Sequence, residues 1–271
     1  MGRIGRMGHM GRMGHMVHMG HRGHMGHRGH RGHMGHMGHF WEGGRIEGMD
    51  GRIELKHCIN AADCAQLRAR LRVVAKPDEH AGADGSYKVR SLYFDNYSDK
   101  AMAEKLSGQS RREKFRLRYY DGDASFIRAE KKSKANRLCS KQSVQITREQ
   151  CEALLAGDLG CLKSPDAPLL MELYAKARYQ GLRPKSVVDY RREAYVYRAG
   201  NVRVTFDSDI RTSNNVRGFL DGGLRTIPAA GATIILEIKF DGFMPDVIRD
   251  VLQIGWRNQT EFSKYVAARL V

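Results

Sequence analysis

Histidine is nearly missing from this chain once its opening segment is set aside: ten of the twelve precede Phe40, and only His57 and His80 follow. Imidazole chemistry therefore has little to work with in the remainder. Cysteine is sparse as well. Five residues, an odd number with no C-x-x-C pair and no His-bearing metal spacing, argue against a disulfide scaffold or a zinc module and for free thiols in a reducing cytosol. No apolar run approaches the roughly 20 residues of a membrane-spanning helix, and the N-terminus has no apolar core of a secretory signal. A soluble, cytoplasmic protein is expected. Also missing are the G-x-x-x-x-G-K-[ST] loop, the protein-kinase motif set and the Rossmann glycine pattern, so any phosphate here is handled by side chains rather than a backbone cradle.

What is present begins with MGRIGRMGHMGRMGH and its continuation, with Gly at almost every third position. The repeat has no Pro, which argues against collagen, and lacks the large aliphatic residues a core needs. Residues 1–48 are expected to be a disordered, low-complexity segment outside the native fold. Regular His could capture a divalent metal, but translated repeat upstream of a true start at Met49 is the expectation. A chain begun there should keep full activity. Residues 49–271 form the expected catalytic domain. Residues 1–52 carry eight of the 46 Lys and Arg and three of the 30 Asp and Glu, leaving 38 against 27, a net of +11. The folded part itself is basic, and its partner is expected to be anionic.

From Ile53 on, short alternating segments predict strands at 54–59, 87–95, 114–120, 125–134, 141–146, 186–197, 201–210 and 233–240. Asn60 and Thr147 stand as N-caps before helical patterns at 61–74 and 148–158. Further helices are expected around 98–106, at 168–180 and twice within 245–270. Asp121-Gly122-Asp123-Ala124 and Arg198-Ala199-Gly200 read as hairpin turns. The sum is an α+β fold of mostly antiparallel strands.

Side chains two apart share one face of a strand. Glu54 and Lys56 do so, as do Lys114, Arg116 and Arg118, and Arg128, Glu130, Lys132 and Lys134. Arg203, Thr205, Asp207 and Asp209 form another such row, Glu237 and Lys239 a further one. A single polar strand face means only exposure to solvent. Repeated on nearly every strand, with helices to cover the apolar faces, it suggests charged faces converging inside a closed sheet. So many cations together need an anion. An open sheet whose charged face is solvated, or lies on nucleic acid, is the other possibility.

The Arg fork and the Lys point charge together suit a triphosphate or polyphosphate. Carboxylates among them suit Mg2+ or Mn2+ on phosphate oxygens. Tyr93, Tyr119 and Tyr120 could stack bases, but alternate strand aromatics are more often core.

In order along the chain, SLYFDN, EKFRLRYY, EKKSK, VDYRREAYVY, NVRVTFDSDI, ILEIKF and FSKY closely resemble bacterial proteins with a VTC domain. That domain is the polyphosphate polymerase module of the vacuolar transporter chaperone complex, within the triphosphate tunnel metalloenzyme (CYTH-like) superfamily. The resemblance spans about residues 54–270. It implies a closed, eight-stranded antiparallel β-barrel, a tunnel with a charged interior covered by helices. In it the γ-phosphate of ATP passes to a growing polyphosphate chain with Mn2+ or Mg2+. By motif it implies Lys56, Arg116, Arg118, Lys132, Arg192 and Lys264 as catalytic, and Lys105, Glu130, Lys141 and Arg203 as substrate-binding. Glu237 is the implied metal ligand. Related enzymes begin E-x-E-x-K, whereas this chain reads Arg52-Ile53-Glu54-Leu55-Lys56, lacking the first carboxylate. That weighs against hydrolase or cyclase chemistry, though a triphosphate or polyphosphate hydrolase and a non-catalytic polyphosphate or nucleic-acid binder stay open. ATP and polyphosphate are the expected partners, with no nucleic acid and no membrane span.

Overall fold

The computed structural model describes residues 52–135, 138–255 and 257–271; the expected disordered repeat at 1–48 and the expected start at Met49 lie outside the described residues. In chain order the elements are β1 (Arg52–Ile59), α1 (Ala61–Val74), β2 (Lys76–Pro77), β3 (Ser86–Asp95), α2 (Lys100–Leu106), β4 (Arg111–Tyr120), β5 (Asp123–Ala135) and β6 (Leu138–Ile146). Then come α3 (Arg148–Ala156), α4 (Pro168–Gln180), β7 (Arg183–Tyr197), β8 (Val202–Ser213), β9 (Ile227–Pro228), β10 (Ile234–Asp241), α5 (Asp246–Val251) and α6 (Lys264–Arg269). The two-residue strands β2 and β9 carry no sequence pattern of their own.

Local chemistry sets the boundaries. The Asn60 side chain accepts the Asp63 N–H at 2.8 Å while the Asp63 carboxylate accepts the Asn60 N–H at 3.2 Å. This reciprocal cap starts α1 and stabilises it by about 1 kcal/mol. Thr147 and Gln150 repeat the device at α3. Between β4 and β5 the chain reverses in two residues, Asp121 (φ 50°) and Gly122 (φ 78°), both left-handed as a tight hairpin of right-twisted strands requires.

Eight strands form one antiparallel sheet in the order β1-β10-β8-β7-β3-β4-β5-β6, with β2 and β9 attached to β7 and β8. Helices cover its outer face. Cys64, Leu67 and Leu71 of α1 and Ile248 of α5 pack on Val204, Phe206, Leu236 and Ile238. Cys151 and Leu154 of α3 and Leu169, Leu170 and Leu173 of α4 pack on Leu92, Phe115, Leu117 and Ile127. Burying each such Leu is worth about 1.5–3 kcal/mol.

The expected closed barrel is a curled half-barrel in the described residues, because no ladder joins β1 to β6. The physical reason lies at β1, whose outer edge is taken by a non-strand segment: the Thr260 N–H donates to the Lys56 carbonyl at 2.8 Å, and Gln259 bridges His57. The sheet ends nonetheless curl toward each other, since Lys132 of β5 reaches Glu54 of β1 at 2.5 Å.

The concave face is not all charge. Tyr265 and Ala268 of α6 pack there on Val188, Tyr190 and Ile210, so α6 fills one end. Asp95, 1 % exposed, ties that end together by accepting the N–H groups of Ala101 and Met102 and the Tyr265 hydroxyl. It thereby fixes both α2 and α6 relative to β3. Among the described residues no helix is long and apolar enough to cross a membrane.

Candidate functional site

The strand rows meet on the concave face around a cavity of about 710 Å3. Thirteen Lys and Arg line it against four Glu, an excess of nine positive charges. Each row alternates as the period of two dictates, and pairing places the rows side by side.

Several rungs of the ladder match opposite charges, Glu54 opposite Lys239 among them. Arg116 lies opposite Glu130, its Nε donating at 2.7 Å, and Arg192 lies opposite Asp207, donating twice at 2.6 and 2.7 Å. Lys56 lies opposite Glu237 with 3.4 Å between charges. Other rungs do the reverse: Arg112 lies opposite Lys134, Arg118 opposite Arg128 and Lys239 opposite Arg203, and one such rung crosses three strands. Lys114, Lys132 and Lys141 stand directly opposite one another on β4, β5 and β6. Like charges opposite one another destabilise a sheet. Lys132 leans to Glu54 and Lys141 to Glu130, each at 2.5 Å. Lys114 has only the Ser263 hydroxyl, at 2.9 Å, and no carboxylate partner among the described residues.

The field of the site follows. Burial lowers the Lys114 ammonium to about 8, helped by repulsion from Lys56, Lys105 and Arg112. Burial likewise brings Lys239 down to about 8, despite Glu237 and Glu54 nearby. For Tyr93, burial would raise the phenol, but Arg116, Arg118 and Lys264 outweigh it and bring it to about 8. The acids respond in kind: burial opposes ionisation of Glu130 and Asp207, yet the adjacent cations hold each at about 2. Glu237 is pushed well below the usual carboxylate range against burial by Lys239, Lys56 and Arg192. The cations divide by what faces them: neighbouring carboxylates and phenols raise Lys56, Arg116 and Arg192 against the effect of burial, while Lys114 and Lys239 are held down.

Lys264 at the start of α6 reaches Asp207 at 2.5 Å, on the same carboxylate that orients Arg192. Lys105, from α2, and Arg112 and Lys134 all contact Glu261.

Of the eleven residues expected from the sequence, Lys56, Lys105, Arg116, Arg118, Glu130, Lys132, Lys141, Arg192, Glu237 and Lys264 all line the cavity. Arg203 does not; it pairs with buried Asp78 and donates to the Tyr87 hydroxyl at 3.0 Å. Its place on the β8 row is right, but its guanidinium is spent on the loop before β3. Sequence reasoning gave no role to Lys114, Lys239, Glu54 or Asp207, although the same rows contain them. Arg112, Tyr190, Glu261 and Ser263 were missed outright. Arg112 extends the β4 row by one more step of two, whereas Glu261 and Ser263 sit in irregular chain where no period operates.

A divalent cation is a matter of donor chemistry. Among the described residues no three His, Cys, Asp or Glu side chains cluster as a metal site. Glu54 and Glu237 do stand within hydrogen-bond reach of each other. Oε1 of Glu54 is buried without a hydrogen-bond partner, its nearest cations being Lys56 at 3.6 Å and Lys239 at 3.8 Å. Two carboxylates with one orphaned oxygen are too few to hold Mg2+ or Mn2+ alone, yet fit an ion that arrives with phosphate oxygens.

The sequence profile of the VTC domain matches residues 51–271. No curated protein matches the chain. Among solved structures, bh2851 from Bacillus halodurans, described as a candidate adenylate cyclase, is 13% identical with a TM-score of 0.40, over 74% of this chain and 85% of its own. PH1819 from Pyrococcus horikoshii OT3 is 14% identical with a TM-score of 0.36, over 74% of this chain and 84% of its own.

Proposed function

This chain belongs to the VTC domain family, and from that premise we propose that it is a polyphosphate polymerase, passing the γ-phosphate of ATP to a growing polyphosphate chain. The observation that carries the reading is the Lys114–Lys132–Lys141 rung inside a cavity with nine excess positive charges. An arrangement that repels itself is worth keeping when a polyanion fills it.

Arg116, Arg118, Arg192, Lys56 and Lys132 clamp the triphosphate, with Lys141 and Lys105 continuing the path toward the openings. Asp207 holds Arg192 and Lys264 in place, so their charge is aimed before substrate arrives. The terminal phosphate oxygen of the chain attacks the γ-phosphorus in line, one P–O–P bond forms, the β–γ bond breaks, and ADP leaves. The attacking oxygen is already anionic, so no general base is needed. Glu237, with Glu54, would hold Mn2+ or Mg2+; the ion supplies neutralising charge on phosphate oxygens. Closure of the tunnel would be made by side chains, Lys132 to Glu54, rather than by a ladder. Five free cysteines suit a cytoplasmic setting, where ATP is also found.

The test is Glu237→Gln, which preserves shape and removes charge. Metal-dependent polyphosphate formation from ATP should fall by at least about a hundredfold. Synthesis at the wild-type rate would refute the assignment.

A further inference from the structure

Glu130, Asp207 and Glu237 are buried and rise from strand faces. Glu261 differs on both counts. Its side chain is 64 % exposed, and it belongs to the non-strand chain between α5 and α6. From there it drops onto three cations at one side of the cavity: it bonds Lys105, meets Arg112 at 3.1 Å and Lys134 at 3.5 Å. Those cations come from three different elements, α2, β4 and β5, and are themselves mostly buried.

We propose that Glu261 is a built-in counter-ion that occupies this mouth of the basin and yields it only to a polyanion long enough to reach and displace it. The inference rests on the polyphosphate reading above and adds a chain-length threshold to it. One carboxylate answers three positive charges, whereas a phosphate unit brings more oxygens and, at a chain end, close to two charges. The exchange therefore favours the polyanion. It also weakens binding relative to an open mouth, because the contacts of Glu261 must be given up first. The cations hold the Glu261 carboxyl at about 2, chiefly through the Lys105 bond, so it is ionised and in place at any ordinary pH. The segment is tied to β1 by the Thr260 N–H and to α6 by the Ser263 cap, which leaves the Glu261 side chain free to swing away while its ends stay fixed. A short anion finds enough cations among Arg116, Arg118 and Arg192 on the cavity floor and never competes with Glu261.

The test compares the full chain with Glu261→Gln by calorimetry, using pyrophosphate and a long polyphosphate of defined length as probes. Glu261→Gln should bind the long chain about 3- to 10-fold more tightly and pyrophosphate within about twofold of the unaltered chain. In the Lys134→Gln background the gain should shrink, since one of the contested cations is gone. Glu261→Asp should restore wild-type behaviour. An unchanged or weaker affinity of Glu261→Gln for the long chain overturns the proposal, as does equal tightening toward both probes, which would report only an added net charge. If the unaltered chain binds neither probe, the polyphosphate reading itself fails. That outcome is distinct from a chain that binds both and shows no effect of residue 261.

Discussion

Raising the pH through 8 should strip the basin of its hold on polyanions, in an amount set by three groups. Lys114, Lys239 and Tyr93 each titrate at about 8. Below that pH the two lysines are charged and the phenol is neutral. Above it the lysines are neutral and the phenol is an anion, so the basin loses up to about three positive charges. A bound polyanion reverses every one of these shifts, because it favours ammonium and disfavours phenolate. Binding must then take up protons. With all three groups near 8, uptake is about 0.3 proton at pH 7, about 1.5 at pH 8 and about 2.7 at pH 9. Integrated from pH 8 to 9, that weakens affinity by up to about a hundredfold. Tripolyphosphate can only gain negative charge over this range, which favours binding to cations, so its own titration does not produce the loss. The assay is calorimetric titration with tripolyphosphate in paired buffers of different ionisation enthalpy at each pH. Tyr93→Phe should remove about one third of the uptake. Affinity that stays flat from pH 7.5 to 9.5 with no proton uptake would refute the electrostatic account of the site.

Asp207 is fully buried beneath Arg192 and Lys264, so Asp207→Asn takes the carboxylate from Lys264 and leaves Arg192 only the more distant Glu237 at 3.7 Å, and should cost about 3–5 kcal/mol in urea unfolding. Its carboxyl sits at about 2 against an ordinary 3.8. It contributes about 2 kcal/mol above pH 4 that is lost as pH falls toward 2, visible as an acid-side drop in Tm that Asp207→Asn lacks. Arg203→Gln breaks the Asp78 pair outside the cavity and should lower stability by about 1–3 kcal/mol while changing tripolyphosphate affinity less than about twofold. A tenfold loss of affinity would return Arg203 to the binding path.

Much of this architecture was legible because it is local. Asn60 and Thr147 announce their helices by side-chain chemistry that acts over three residues, and Asp121-Gly122 supplies the two left-handed residues its hairpin needs. The rows Lys114–Arg118 and Glu130–Lys134 follow from the period of a strand, which is why the candidate residues converge. What was not legible depends on distant partners. Nothing near Arg203 reveals that Asp78, 125 positions away, will claim it. The resemblance implied a closed tunnel, but whether β1 pairs with β6 depends on what takes β1's outer edge, and residues 259 and 260 take it from the far end of the chain. Glu261 was invisible for the same reason, since its partners are gathered by the sheet and not by spacing.

The most direct measurement is the product of the purified chain incubated with ATP and Mn2+, resolved on a gel. The account predicts long polyphosphate chains appearing together with ADP. Free phosphate as the sole product, or unchanged ATP, would contradict it.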